Sequence, residues 1–295
     1  IRWRNAVGEC CMLAQVDRIQ LVVSDRKRAE ISFSQLLGAR MVRHDVVRAL
    51  GALRTALRVG RSEVELLEPD GVGPAAAFLQ QTCGGLFAAG FATRELGALR
   101  SHLLACGEEV GEAGGQLLLG AGALGIPGLR MVLSEVEERE PSGLLDHLYE
   151  VTLLSADWRG SARRIADRLA LDSRGFVSIR SAEYGYEGVL TLFHPTCLDR
   201  IEVVTPVDDA KTMGRYFARR GPALYMGYAE SHDTAGLRAR LLEYAPHDWT
   251  GPREGAAPDN LFVHPAALSG LLLGVSRHSF AWTWSGSPER VEAGA

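Results

Sequence analysis

Side chains that could carry out chemistry are present in this sequence, but they do not form a familiar catalytic motif. The chain has eight histidines and five cysteines. No two cysteines form a C-x-x-C pair, and neither H-E-x-x-H nor G-x-S-x-G occurs. His194 and His264 each precede a proline beside the end of a predicted strand. A neutral imidazole can bind a divalent metal or accept a proton, so the histidines leave both chemistries open.

The composition is that of an ordinary globular protein. The 295 residues carry a formal net charge of −4, with 46% hydrophobic and 23% charged residues. The charge is divided evenly between the two halves, and neither half is basic enough to indicate nucleic acid as a partner. No run of 18 apolar residues occurs, so no membrane partner is expected. The odd number of cysteines and the absence of a signal-peptide pattern in Ile1–Cys11 favour the cytoplasm.

The sequence contains an internal duplication. Four segments recur in the same order at offsets of 129 to 142 residues. They are Val16–Ile19 with Leu145–Leu148, Ser62–Pro69 with Asp199–Pro206, Gly97–Leu104 with Ala235–Leu242, and Gly128–Ser134 with Gly270–Ser276. Ordered matches with a slowly growing offset indicate two copies of one domain. We therefore predict an N-terminal extension (1–14), domain 1 (15–136), domain 2 (144–278) and a C-terminal tail (279–295).

Each predicted domain alternates short strands with helices. In the first copy Gln15–Ser24 is a β-branched run, and Arg26–Leu37 has helical spacing and stops at Gly38. Three short strands follow, and a similar order of strand, helix and strands then recurs. The pattern predicts an α+β fold of βαβββ modules, with two modules in each copy.

This doubled pattern resembles the vicinal oxygen chelate superfamily, which includes glyoxalases, bleomycin-resistance proteins and extradiol dioxygenases. Val16–Ile19 is similar to its first strand, which usually has an Asp-His pair between apolar residues. Val64–Pro69 resembles its fourth strand, and Leu261–Pro265 with Gly270–Leu272 resembles its closing loop and last strand. The resemblance implies two tandem glyoxalase-like domains, each made of paired βαβββ modules that form a half-open barrel with the ligand in the cup.

Metal enzymes of this superfamily place ligands at four strand positions, and the resemblance assigns these positions in domain 1. They fall on Arg18, on Glu65, at about Ala88 and at about Val132. Arginine only donates hydrogen bonds, so Arg18 cannot bind a cation. Domain 1 is therefore expected to lack a metal, and Arg18 and Glu65 are expected to form an ion pair inside the barrel.

In domain 2 the same positions fall on His147, on Glu202, at about Tyr225 and at about Gly274. His147 and Glu202 could help to hold iron, manganese or zinc, but the ligand set is incomplete because glycine has no side chain to offer. A metal-free alternative is a general base, in which Glu202 orients the imidazole of His147. A third alternative is a structural hydrogen bond between the two residues.

The cup of domain 2 is the predicted site of a small-molecule ligand. Its expected lining residues are Phe193, His194, Tyr225, Tyr228 and His264, and His194 or His264 could also complete a metal site. Three functions follow from the resemblance. They are a dioxygenase-like enzyme acting on an aromatic or other small organic substrate, a metal-independent binding or resistance protein, and a glyoxalase-like lyase or isomerase.

Two structural expectations complete the sequence analysis. Superposition of the copies is expected to place Asp17 on Asp146 and Glu65 on Glu202. Because many members of the superfamily are dimers, a homodimer is also expected. The segment Trp282–Trp284 alternates as a strand does, which favours packing in a core or at an interface, and it is a candidate contact of the dimer.

Overall fold

The computed structural model describes residues 11–292, which form two eight-stranded β-sheets and six α-helices. The first sheet contains β1 (Gln15–Val22), β2 (Arg40–Val47), β3 (Ala52–Val59), β4 (Ser62–Pro69), β5 (Gly85–Thr93), β6 (Gly111–Ala113), β7 (Gln116–Leu119) and β8 (Met131–Glu135). The second contains β9 (Leu145–Leu154), β10 (Val177–Ser181), β11 (Tyr186–Leu192), β12 (Arg200–Pro206), β13 (Ala223–Ser231), β14 (Trp249–Thr250), β15 (Asn260–Val263) and β16 (Leu272–Arg277). The helices are α1 (Arg26–Leu37), α2 (Pro74–Thr82), α3 (Leu96–Ala105), α4 (Trp158–Leu169), α5 (Thr212–Arg220) and α6 (Thr234–Tyr244). None of these helices is long and apolar enough to cross a membrane.

The two sheets have the same topology. The strand orders are β2-β3-β4-β1-β5-β8-β7-β6 and β10-β11-β12-β9-β13-β16-β15-β14. The two central strands of each sheet are antiparallel, and each has a parallel neighbour on its other side. Each half of a sheet is one βαβββ module, while α2 and α5 connect the modules within a domain. The predicted α+β fold of two tandem domains is confirmed.

Local sequence determines where the main helices begin. Asp25, Asp157 and Asp233 are the N-caps of α1, α4 and α6, and each side chain accepts a backbone N–H from the first turn. Helix α1 ends at Gly38, whose φ of 70° lies in the left-handed region that glycine adopts without strain. These caps provide hydrogen-bond partners for backbone groups at the helix ends that have no partner within the helix.

One hydrophobic cluster continues through both domains. Phe33 of α1, Leu99 of α3, Ile165 of α4 and Leu237 of α6 are all fully buried in it. The segment between the sheets is also anchored, because the buried guanidinium of Arg139 donates hydrogen bonds to Asp17 on β1. The two domains therefore share a core and are not joined by a loose linker.

The strand register shows which residues of the two domains correspond. Equivalent cross-strand pairs are Arg18–Glu63 and Gln20–Glu65 in the first sheet, and Glu150–Arg200 and Thr152–Glu202 in the second. Glu65 and Glu202 therefore occupy equivalent positions, as expected. The neighbouring pair has one acidic and one basic residue in both sheets. The arginine lies on β1 in the first sheet but on β12 in the second, and the glutamate lies on the partner strand.

The equivalence expected for the first strand is wrong by three residues. The counterpart of Arg18 is Glu150 and not His147, because these two residues pair with corresponding positions on β4 and β12. Asp17 consequently does not correspond to Asp146. Strand β9 has ten residues and β1 has eight. The Asp-containing segment of β9 therefore lies nearer the start of its strand than the register equivalent of the matching segment in β1. Register is set by which side chains are buried, and a four-residue match cannot determine it.

The segment Trp282–Trp284 is not a strand. It belongs to a 3-10 helix over Phe280–Trp284, and Trp282 is buried in a cluster with Tyr149 and Leu198. Three residues are too few to establish a periodicity, and burial of the indole decides the local conformation instead. The homodimer stays a prediction.

Candidate functional site

The cup of the first domain is filled by its own side chains. The carboxylate of Glu65 accepts hydrogen bonds from Arg18 Nη1 at 2.7 Å and Arg54 Nη1 at 3.2 Å. It also accepts from Gln20 Nε2 at 2.8 Å and Gln116 Nε2 at 2.7 Å. The predicted ion pair between Arg18 and Glu65 is confirmed. Four donor residues on three strands, β1, β3 and β7, thus converge on a single buried carboxylate.

This network keeps Glu65 ionised. Burial by itself would raise the pKa of Glu65, but the charges of Arg18 and Arg54 outweigh it. Together with the hydrogen bonds from Gln20 and Gln116, they lower the pKa to about 2. The polar groups of the first cup are therefore occupied by one another and not by a ligand.

The cup of the second domain opens into a cavity of about 1510 Å³. Small-molecule sites commonly measure about 300–1,000 Å³, so this cavity can accept a large ligand or a ligand with bound water. Its walls are rich in aromatic side chains, namely Tyr184, Tyr186, Tyr216, Tyr225, Tyr228, Phe262 and Trp284. Domain 1 contributes the end of α2 and the start of β5 to the same cavity, so both domains form the site.

Two carboxyl groups lie at the floor of this cavity. Arg200 Nε donates to Glu150 Oε2 at 2.5 Å, and both side chains are almost completely buried. Thr152 Oγ1 donates to Glu202 Oε2, also at 2.5 Å. Glu150 and Glu202 line the cavity, whereas Arg200 lies behind them.

The two floor carboxyls lie in different electrostatic surroundings. Burial, reinforced by the negative charge of Glu150, raises the pKa of Glu202 to about 8, although Thr152 and Arg200 act in the opposite direction. Glu202 is therefore mainly protonated at neutral pH, while Glu150 is neutralised by Arg200. The floor carries polar atoms but little net charge.

A tyrosine ring fills the space of a metal ligand. Glu150, Tyr228 and Gly274 lie in one row across β9, β13 and β16. A Cβ atom on Gly274 would lie 2.2 Å from Tyr228 Cε1, so the ring occupies the place of a side chain there. In the first cup the glycine lies one strand earlier in the row: Gly90 is the counterpart of Tyr228, and a Cβ on Gly90 would lie 2.1 Å from Arg18 Cγ.

The residues of the second cup do not fit the divalent metal that the fold implies. By strand register the four positions hold Glu150, Glu202, Tyr228 and Gly274, so the third falls on Tyr228 and not on Tyr225, and no histidine is among them. Glu150 is already paired with a guanidinium, and Glu202 carries a proton that a metal would have to displace. Within residues 11–292, no group of three or more His, Cys, Asp or Glu side chains is arranged to hold a metal ion.

His147 and Glu202 are not brought together. His147 is five residues before the strand partner of Glu202, a separation of about 16 Å along β9. It lies in a separate small pocket of about 350 Å³ with Asp199, Glu230 and His278, and its Nε2 is 4.0 Å from Glu230 Oε2. The expected imidazole–carboxylate pair of His147 and Glu202 is therefore not formed.

The structure places the five expected pocket residues in two groups. Tyr225, Tyr228 and His264 line the large cavity, and their role in ligand binding stays a prediction. Phe193 is buried instead, with its ring 5.7 Å from that of Phe91 in the core between the domains. His194 lies outside the cavity lining, and its Nδ1 is 2.6 Å from Thr196 Oγ1.

Glu150, whose carboxyl lies on the cavity floor, is a site residue that was not expected from the sequence. The sequence did contain an indication of its role, because the acidic residue Glu63 of the first copy is replaced by the basic residue Arg200 in the second. A buried arginine on β12 needs an acid opposite it, and Glu150 is the acidic residue on β9 that can supply it.

Comparison with solved structures identifies the fold. A triple mutant of 4-hydroxymandelate synthase from Streptomyces coelicolor superposes with a TM-score of 0.66 at 14% identity, over 90% of this chain and 92% of that one. A fusion of a xylose isomerase-like TIM barrel with 4-hydroxyphenylpyruvate dioxygenase gives a TM-score of 0.63 at 11% identity, over 97% of this chain and 53% of that one. No protein-family model and no curated protein sequence matches the chain. These two structures have the same fold as this chain, in agreement with the architecture that the resemblance implied.

Proposed function

We propose that this protein binds a small organic molecule with an aromatic or apolar body in the cup of domain 2, without a metal. The observation that carries this proposal is the contrast between the two cups. The first is filled by a closed polar network around Glu65, whereas the second is an open cavity with aromatic walls. Aromatic walls with a few fixed polar groups are typical of small-molecule sites.

The two metal-dependent alternatives have less support. A dioxygenase-like enzyme and a glyoxalase-like lyase or isomerase would both need metal ligands in this cup. Tyr228 and Gly274 stand at two of the four positions, and Arg200 pairs with the carboxylate at a third. The structural neighbours named above share the fold at 14% and 11% identity, which carries no argument about the reaction.

A metal-independent proton-transfer enzyme is the second candidate. Glu202 is a largely protonated acid that faces the cavity, and such a group can donate a proton to a bound ligand and take it back. This candidate needs the same bound ligand, so binding is the property to test first.

Binding can be tested with N-phenyl-1-naphthylamine, a neutral aromatic dye that fluoresces in apolar sites. We expect the dye to bind in the second cup, where Phe262 packs edge-to-face on Tyr228 with ring centroids 5.7 Å apart. Loss of one aromatic wall in Phe262→Ala is expected to weaken binding about tenfold. A fluorescence titration before and after dialysis against EDTA should give the same affinity for the wild type.

The control is Phe176→Ala, which removes another half-buried phenylalanine that does not line the cavity. It is expected to leave dye affinity unchanged. No binding by the wild type, equal effects of the two variants, or loss of binding after EDTA treatment would each contradict metal-independent binding in this cup.

A further inference from the structure

We infer that the ligand of the second cup is an organic anion, and that Arg130 of domain 1 binds its charged group. This inference rests on the proposed function and adds the chemical class of the ligand. It also assigns to domain 1 a direct part in a site that is otherwise formed mostly by domain 2.

Arg130 is held at the wall of the cavity by two aromatic rings. It immediately precedes β8, and its guanidinium carbon lies 4.9 Å from the ring centroid of Phe87 and 5.2 Å from that of Phe78. The two rings themselves pack edge-to-face at 5.2 Å. All three side chains line the large cavity. Stacking on aromatic faces fixes the guanidinium but leaves its N–H donors free for a ligand.

Arg130 has no acidic partner of its own. Among the described residues its side chain makes neither an ion pair nor a hydrogen bond, although it is half-buried. The more deeply buried arginines Arg18, Arg54, Arg139 and Arg200 all contact carboxylates. Burial lowers the pKa of Arg130, but a guanidinium stays protonated in proteins. An uncompensated, partly desolvated cation facing a cavity favours an anion there.

The rest of the cavity wall has the same sign of charge. Besides Arg130, the basic lining residues are Arg180, Arg215, Arg219 and Arg220. The acidic ones are Glu150 and Glu202, of which one is paired with Arg200 and the other is mainly protonated. The whole chain has a net charge of −4, so this positive lining is a local feature. It would attract anions to the cavity and repel cations.

Close packing of the domains keeps these arginines on one wall. A Cβ atom on Gly128 would lie 2.2 Å from the carbonyl oxygen of Pro222, so the loop before Arg130 lies directly against the connection between α5 and β13. Arg220 Nη2 donates to the carbonyl of Thr82 at 2.7 Å and joins α5 to the end of α2. A carboxylate, sulfonate or phosphate group bound by Arg130 would therefore lie near Arg219 and Arg220 as well.

Two matched dyes test the inference. The anionic dye 8-anilinonaphthalene-1-sulfonate has nearly the same aromatic body as the neutral N-phenyl-1-naphthylamine. The folded wild type is expected to bind the anionic dye more tightly, by about fivefold or more at low salt. Arg130→Gln should weaken the anionic dye about tenfold and leave the neutral dye unchanged, and Arg130→Lys should restore part of the loss.

The matched control is Arg290→Gln. Arg290 is also half-buried and lies over an aromatic ring, 4.3 Å from the centroid of Trp282, but it does not line the large cavity. It should leave both dyes unaffected. If Arg130→Gln leaves the anionic dye unaffected, or weakens both dyes equally, the inference is wrong while neutral binding still supports the proposed function. If the wild type binds neither dye, the proposed function fails first.

Discussion

Replacing Arg18 by methionine is expected to lower the free energy of unfolding by about 3–5 kcal/mol. Methionine keeps the apolar stem that packs over Gly90 but removes the guanidinium. That group lies within ion-pair distance of the carboxylates of Asp17, Glu63 and Glu65, all of them buried. Removing one partner of a buried network leaves charge that no water can solvate, which is why the effect should be large.

Urea unfolding of Arg18→Met against the wild type measures this effect. The control is Arg100→Met, which removes an exposed arginine of α3 that lies 3.8 Å from Glu112. An exposed pair of this kind contributes less than about 1 kcal/mol, so the control should unfold almost as the wild type does. A change of similar size in both variants would mean that the buried network around Glu65 contributes no more to stability than an exposed ion pair does.

The substitution Glu202→Gln is expected to raise the free energy of unfolding at pH 8, in contrast to Arg18→Met. The pKa of Glu202 is raised from 4.5 to about 8, mainly by burial and then by the charge of Glu150. The folded chain thus holds the Glu202 proton more tightly than the unfolded chain does. Stability must fall as the pH rises from about 4.5, where the unfolded side chain ionises, towards about 8. Glutamine has no proton to lose, so the variant should gain on the order of 4 kcal/mol over the wild type at pH 8.

Glu65→Gln is the natural counterpart, because Glu65 occupies the equivalent position in the first sheet. Its pKa is lowered to about 2, since the charges of Arg18 and Arg54 outweigh burial. Its ionised form contributes stability above about pH 4.5, and that contribution is lost as the pH falls through about 2. The glutamine variant should therefore be less stable than the wild type at neutral pH.

Thermal unfolding of both variants and the wild type between pH 5 and 8.5 tests these two expected changes in stability. We expect the wild-type melting temperature to fall relative to that of Glu202→Gln as the pH rises, while Glu65→Gln melts below the wild type throughout. A Glu202→Gln variant that is less stable than the wild type at pH 8 would show that Glu202 is ionised in the folded chain. The floor of the second cup would then carry a negative charge at neutral pH and would be less suited to an anion.

The opposite signs expected at two equivalent glutamates describe how the cups have diverged. In the first domain, the arginine lies on β1 and the carboxylate beside it on β4 is ionised. In the second domain the arginine lies on β12, its partner is on β9, and the remaining carboxyl keeps its proton. The exchange of charge between neighbouring strands is thus one difference between the closed first cup and the open second cup, and the replacement of Gln20 by Thr152 beside the glutamate is another.

The sequence by itself determined the fold and its duplication. Helix caps such as Asp25 and Gly38 act over a few residues, and the repeated segments preserve their order along the chain, so both can be detected without long-range contacts. The pair Arg18 and Glu65 was also predictable, because arginine at a ligand position needs a carboxylate partner once it is buried.

Only the tertiary structure decided what the second cup contains. The sequence placed His147 in it, whereas the register of β9 places Glu150 there, because a shift of three residues is invisible in a short apolar pattern. Arg130 gave no local signal, since its importance comes from Phe78, Phe87 and a cavity formed by both domains. The pKa of Glu202 likewise depends on burial and on a neighbour 52 residues away along the chain, which are properties of the folded molecule and not of any segment of it.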